Sequence, residues 1–144
     1  MSRRDDTLGA WLAEHPPAPG RFAQSAAAVA VRVLGGEGFH HAVRELLDEI
    51  ALAPDDGIVA RAIVDKPPPT GNSRLDAYLG ALAEHLAISR GLTVPPWTIA
   101  GDRFLDRFWF VSEVQGFRAT AIAQSPAAFR RRGVFIAAGS LRRV

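Results

Sequence analysis

Ten prolines and thirteen glycines punctuate the 144 residues of this chain, and they limit its fold more than any other feature. Proline inside a helix removes an N–H and clashes with the preceding turn, while glycine raises the entropic cost of ordering, so regular elements run between these residues. The strongest break is Pro67-Pro68-Pro69-Thr70-Gly71-Asn72. Three successive prolines exclude helix and favour a stiff extended connector. It divides one domain, residues 1–144, into an N-terminal lobe, 6–66, and a C-terminal lobe, 73–144, with a surface strap or a hinge at 67–72 between them. A chain of this length buries roughly 68–70% of its unfolded surface around one core.

Helical periodicity fills the segments between breaks. A short helix is expected over 6–15 and an alanine-rich one over 21–34, ending at Gly35-Gly36. In 39–52, Phe39, Val43, Leu46, Leu47 and Ile50 share one face, with Arg44, Glu45, Asp48 and Glu49 opposite. Pro54-Asp55-Asp56-Gly57 opens a short helix over 56–64. Ser73 and Asp76 resemble a capping box and open the most secure helix, 73–90, whose apolar stripe is Leu75, Tyr78, Leu79, Leu82 and Leu86. Asp102 caps a short helix through Arg107, which would place Phe104 and Phe108 on one face. The alanines of 117–124 favour helix, with a hairpin of 108–114 and 117–123 as the alternative. Ser125 and Pro126 open a last helix that Gly133 closes, followed by an apolar anchor, Val134-Phe135-Ile136. The expected fold is mostly α, a compact bundle of six to eight short helices with at most a small β ribbon near the C-terminus.

Composition excludes several classes. At 48% hydrophobic the chain is too apolar for disorder, and it has no run of 18 apolar residues to span a membrane. Without cysteine there is no disulfide framework, thiol nucleophile or thiolate metal site. Arg3-Arg4 is followed by two aspartates and no adequate apolar stretch, so a twin-arginine signal is not expected and the reading is cytoplasmic.

The net charge of +2 conceals an asymmetry. Residues 1–100 carry 9 Lys+Arg against 12 Asp+Glu, whereas residues 101–144 carry 8 Arg against 3 acids. From Arg118 onward there are six arginines and no acid. Sixteen of the 17 basic residues are Arg and 25 residues are Ala, the signature of a GC-rich coding sequence, so part of the arginine excess is codon usage. A basic, acid-free segment otherwise fits nucleic acid or an acidic protein face.

No catalytic frame emerges from the motifs. His41 and Glu45 have ligand spacing on a helix but no recognisable third ligand, and His85 borders the apolar stripe of 73–90. Asp48/Glu49 and Asp55/Asp56 fit a solvated helix face and a helix N-terminus. There is no G-x-S-x-G, and Gly35-Gly36-Glu37-Gly38 lacks the lysine and preceding strand of a phosphate loop. The chain reads as a non-enzyme with no cofactor and no metal. A small-molecule site around His85, Trp97 and Trp109 is a further alternative.

The aromatic block Phe104-Leu105-Asp106-Arg107-Phe108-Trp109-Phe110 carries most of the ring area, about 150–250 Å² per ring when covered. These rings build the C-terminal core, or Trp109 or Phe110 with Arg107 forms an exposed anchor, since Trp and Arg recur among interface hot spots. A helix-turn-helix made of 21–34 and 39–52 is disfavoured by Glu45, Asp48 and Glu49, which a phosphate backbone repels. Arg130, Arg131 and Arg132 are the better nucleic-acid candidates.

Three strings carry a resemblance: Arg74-Leu75-Asp76-Ala77-Tyr78-Leu79 with Ala83-Glu84-His85-Leu86 and Pro95-Pro96-Trp97; Arg103 to Phe110; and Ser125-Pro126-Ala127-Ala128-Phe129-Arg130-Arg131-Arg132-Gly133-Val134-Phe135-Ile136. Together they resemble small, mostly helical actinobacterial proteins that accompany nucleotidyltransferase-like toxins and are thought to act as their antitoxins. The resemblance spans roughly 37–144 and brings no assigned functional residues. It implies a protein that binds and neutralises a cognate toxin, with DNA as a possible second partner. Toxins of that kind bind nucleotide phosphates in basic sites, so the acidic 37–56 region is the natural blocking face. The candidate partner-binding residues are Arg107, Trp109, Phe110, Glu45, Asp48 and Glu49, with Arg130, Arg131 and Arg132 as candidate nucleic-acid contacts. The alternative function is a DNA-binding regulator that uses the Arg-rich C-terminal segment.

Overall fold

The structure, a computed structural model, describes residues 24–53, 55–112 and 118–141. The helix expected over 6–15 and the possible hairpin turn at 115–116 lie outside them. Among the described residues there are six α-helices and a two-stranded sheet, so the fold is mostly α. The helices are α1 (Ala26–Leu34), α2 (Phe39–Ala51), α3 (Asp56–Val64), α4 (Ser73–Arg90), α5 (Arg118–Gln124) and α6 (Ala127–Arg130). The strands are β1 (Trp109–Phe110) and β2 (Val134–Phe135), and short 3-10 turns cover Pro96–Ile99, Gly101–Arg103 and Ala138–Leu141.

Local chemistry sets the helix ends. Ser25 caps α1 by accepting from Ala28 N, and Asp55 caps α3 by accepting from Ile58 N. Asn72, rather than the expected Ser73, caps α4, its side chain accepting from Arg74 N. Asp76 turns upstream instead and accepts from Thr70 N and Thr70 Oγ1 at 3.0 and 2.8 Å. Gly91 ends α4 in the left-handed region at φ 66°, where a Cβ would be strained.

α4 is the hub. It contacts α1, α3, α6, β2 and both 3-10 turns of 96–103, and from Asp76 to Ala87 only His85 is not buried. A helix covered on nearly all sides belongs at the centre of a bundle. Its buried alanines, Ala77, Ala81, Ala83 and Ala87, let neighbours approach closely. One apolar cluster joins Ala26, Val29, Leu46, Val59 and Ile63 before the proline run to Leu79, Leu82, Phe129, Val134 and Ile136 after it. Pro67 is itself buried and its carbonyl accepts from Arg103 at 3.0 Å, so the connector is packed into this core at its first proline.

The C-terminal elements depart most from expectation. The helix expected over 102–107 is only the turn Gly101–Arg103, after which the chain peels away and Leu105 N bonds Arg132 O at 3.0 Å. β1 and β2 pair in parallel, Trp109 opposite Val134 and Phe110 opposite Phe135. Parallel pairing needs a long crossover, which α5 and α6 occupy. Ser125 does not cap α6. Its Oγ lies within hydrogen-bond distance of Ala121 O and Ile136 O and accepts from Ile136 N at 2.8 Å, tying α5 to the end of β2.

Candidate interaction surface

The C-terminal half is organised by two arginines that have no exposed surface. Arg132 donates to Glu84 Oε1 at 2.7 Å, to Ala128 O at 2.8 Å and to Thr98 O at 2.6 Å. Arg103 donates to Asp76 O and Pro67 O, and its guanidinium lies 5.0 Å over the Trp97 ring. Burial pulls both guanidinium groups below their ordinary range; Glu84 opposes this for Arg132, and Asp76 and Asp102 oppose it for Arg103. The two side chains cross α4 at Gly80, where an added Cβ would meet Arg103 Cβ at 3.1 Å and Arg132 Nε at 3.3 Å. Both Nε atoms are buried without a hydrogen-bond partner among the described residues.

This arrangement corrects one sequence expectation outright. Arg132 is completely buried and cannot touch nucleic acid. Arg131 is exposed but its guanidinium pairs with Glu84, and Arg130 is exposed. The sequence signal for the buried pair was Gly80, a glycine inside the strongest helix, which points to a close packing partner.

The aromatic block is divided between core and surface. Trp97 is buried and donates from Nε1 to Ile63 O at 3.0 Å. Trp109 and Phe110 are half-buried, so neither is a fully exposed anchor; Trp109 lies under Arg74, and Phe110 stacks on Phe135 with centroids 5.0 Å apart. Arg107 is exposed. The most exposed ring is Phe108, at 72%, a residue that helical pairing with Phe104 had assigned to a shared face. Its ring meets Phe135 edge-on at 5.1 Å, and the next residue's N–H bonds Gly133 O at 2.7 Å, so the backbone that presents it is fixed.

Beside this ring lies a cavity of about 250 Å³. Phe110, Phe135, Ala121 and Ala137 form its apolar walls, and Ser112 and Arg118 bring the polar groups. The Arg118 guanidinium sits 5.1 Å over the Phe110 ring. Neither Trp97, Trp109 nor His85 lines this cavity, so it is not the small-molecule site considered from sequence.

On α2, Glu45, Asp48 and Glu49 are half-buried and share a face through their three- and four-residue spacing. Glu45 is engaged by Arg32 at 3.1 Å and by His41 at 2.7 Å. Arg32 also holds Glu37 at 2.6 Å, which lowers the Glu37 pKa and raises that of Arg32. The acidic face is thus partly neutralised at its N-terminal end. Among the described residues no cluster of three or more His, Asp or Glu could hold a metal ion, and no helix is long and apolar enough to cross a membrane.

The fold and surface define a mostly helical chain with an aromatic and arginine-rich face on a small parallel sheet. Comparison with protein-family models, with curated proteins and with solved structures finds no match.

Proposed function

We propose that the protein binds and neutralises a nucleotidyltransferase-like toxin by direct contact, the antitoxin role implied by the resemblance of residues 37–144. The observation that supports this reading best is Phe108, held 72% exposed by a fixed backbone beside the exposed Arg107. Burying such a ring against a partner recovers about 25 cal/mol for each Å² of apolar area removed from water. Aromatic and arginine side chains are also the residue types that dominate interface energies. The α2 acids Glu45, Asp48 and Glu49 share a face of the opposite sign, suited as a second contact to a basic nucleotide site.

The experiment is co-expression with the product of an adjacent gene. The two proteins should co-purify and growth should be rescued, and Phe108→Ala should weaken the complex at least about tenfold, as expected of a hot-spot aromatic. Neither co-purification nor rescue would sink the reading. DNA binding is the second reading, favoured by the exposure of Arg130 and weakened by the burial of Arg132. Affinity for duplex DNA that falls steeply with salt and drops on Arg130→Ala would support it.

A further inference from the structure

Phe108, Phe135 and the Arg118-rimmed cavity form one continuous feature. The Phe108 ring meets Phe135, Phe135 lines the cavity and stacks on Phe110, and Arg118 lies over the Phe110 ring. Ile122 is 49% exposed and lies four residues from Arg118 on α5, so the two share a face and extend the rim. The cavity volume of about 250 Å³ is below the roughly 300–1,000 Å³ of small-molecule and cofactor sites. It is the scale of a single inserted side chain rather than of a free cofactor.

Charge decides what accompanies that side chain. Among the described residues no carboxylate lies within ion-pair distance of the Arg118 guanidinium, so its charge is open to a carboxylate from outside the cavity walls. The surrounding sequence adds to this, since six arginines and no acid follow from residue 118 onward. A guanidinium at the rim of an apolar slot is complementary to a carboxylate set close to an apolar group. Nucleobases fit less well, because their polar edges would face the apolar walls Phe110, Phe135, Ala121 and Ala137.

We propose that this slot receives one aromatic or large aliphatic side chain of a partner protein, with a neighbouring carboxylate of the same segment placed on Arg118. The assignment rests on reading the protein as a partner-binding chain and specifies the partner's chemistry. The side chain fills the cavity that the stacked Phe110 and Phe135 rings wall together with Ala121 and Ala137. The carboxylate accepts from the Arg118 guanidinium, which its position over Phe110 already orients.

The test uses the full chain with ¹³C-methyl-labelled alanine, reading the wall residues Ala121 and Ala137 by NMR. The probes are three capped peptides, Gly-Phe-Asp-Gly, Gly-Phe-Asn-Gly and Gly-Ala-Asp-Gly. The first should shift both methyl signals saturably, the second should bind about two- to fivefold more weakly, as befits one exposed ion pair, and the third should leave them unmoved. R118Q should reduce the Asp peptide to the affinity of the Asn peptide while leaving the Asn peptide unchanged. Equal binding of the Asp and Asn peptides, or no saturable shift with either, overturns the assignment. So does a shift of the same methyls on raising protein concentration without peptide, which would make a second copy the occupant. Tighter binding of an oligothymidylate at the same methyls would assign the slot to nucleic acid and overturn it too. If toxin co-purification succeeds while these titrations fail, the slot assignment alone falls. If the peptides bind as expected and the toxin does not, the antitoxin reading alone falls.

Discussion

In α1–α3 the fully buried side chains are aliphatic, with Val29, Leu46, Val59 and Ile63 among the largest, whereas after the proline run the two largest are Arg103 and Arg132. The first half is held by apolar interdigitation of helices nine to thirteen residues long. Beyond the 18-residue α4 the second is made of two-residue strands, turns of three and four residues, and helices of seven and four residues. Such short pieces have little helical or sheet cooperativity of their own. They are fixed to α4 by buried guanidinium groups, Arg103 donating to Asp76 O and Arg132 to the Glu84 carboxylate, and the interaction surface is built on them. The contrast teaches that arginine-rich sequence need not mean a basic surface: here two of the arginines are internal cross-links.

The largest expected effect tests that contrast. Arg132→Ala leaves Glu84 buried and deprived of its internal partner and removes the bonds to Thr98 O and Ala128 O, so it should cost about 3–5 kcal/mol in urea unfolding. Leu46→Ala in the first half should cost about 2–5 kcal/mol by cavity formation alone. The two differ in how they can be rescued. Adding Glu84→Leu to Arg132→Met should recover most of the loss, because a well-packed apolar pair replaces a buried ionic one. A double variant as unstable as Arg132→Ala would mean that the backbone bonds of Arg132, not its pairing with Glu84, carry the C-terminal half.

The same contrast explains what was legible in the sequence. The faces of α2 and α4 follow from Phe39, Val43, Leu46, Leu47 and Ile50 and from Tyr78, Leu79, Leu82 and Leu86, because apolar periodicity is a local signal. The turn residues Gly91 and Gly133 read correctly for the same reason, each taking a positive φ. What failed is non-local. Pairing of residues 109–110 with 134–135 is decided by contacts far apart along the chain. No local pattern announces that Ser125 will bond Ile136 rather than cap α6. Arg132 read as surface because arginine is almost never fully buried unless paired, and its partner Glu84 lies 48 residues away. Phe108 was assigned to a shared helical face because residues 104–107 were expected to be helical, so its exposure was missed.

Gly80 gives a smaller and sharper test of how the two arginines cross α4. In an exposed helix interior Gly→Ala stabilises by about 1 kcal/mol. At residue 80 the added methyl would press on Arg103 Cβ and Arg132 Nε at 3.1 and 3.3 Å, and both of those side chains are fully buried. Overpacking costs about 1–3 kcal/mol, which outweighs the helical gain and leaves Gly80→Ala net destabilising by about 1 kcal/mol. In the Arg132→Ala background the contact with Nε is gone, so the same substitution should become less costly there. Stabilisation by Gly80→Ala in the parent protein would show that the arginines are not fixed against α4.

The smallest effect concerns pH. His85 is half-buried on α4, its ring 6.1 Å from Phe129 of α6, and burial lowers its pKa from the ordinary 6.5. A histidine whose pKa is lower in the folded state binds fewer protons there than in the unfolded chain. Stability is therefore unaffected by this group above pH 6.5, falls as the pH drops through 6.5, and reaches its full loss below the folded-state value. Urea midpoints measured at pH 7.5 and 5.5 should be further apart for the parent than for His85→Gln, which cannot titrate. The other three histidines are the same in both proteins, so only His85 differs in the comparison. Because His85 faces Phe129, the acid-sensitive loss should appear first as amide exchange at α6 and β2 and not in α1–α3. Equal pH dependence of the two proteins would mean that His85 is as well solvated when folded as when unfolded, and that α6 packs less closely on α4 than the Phe129 contact requires.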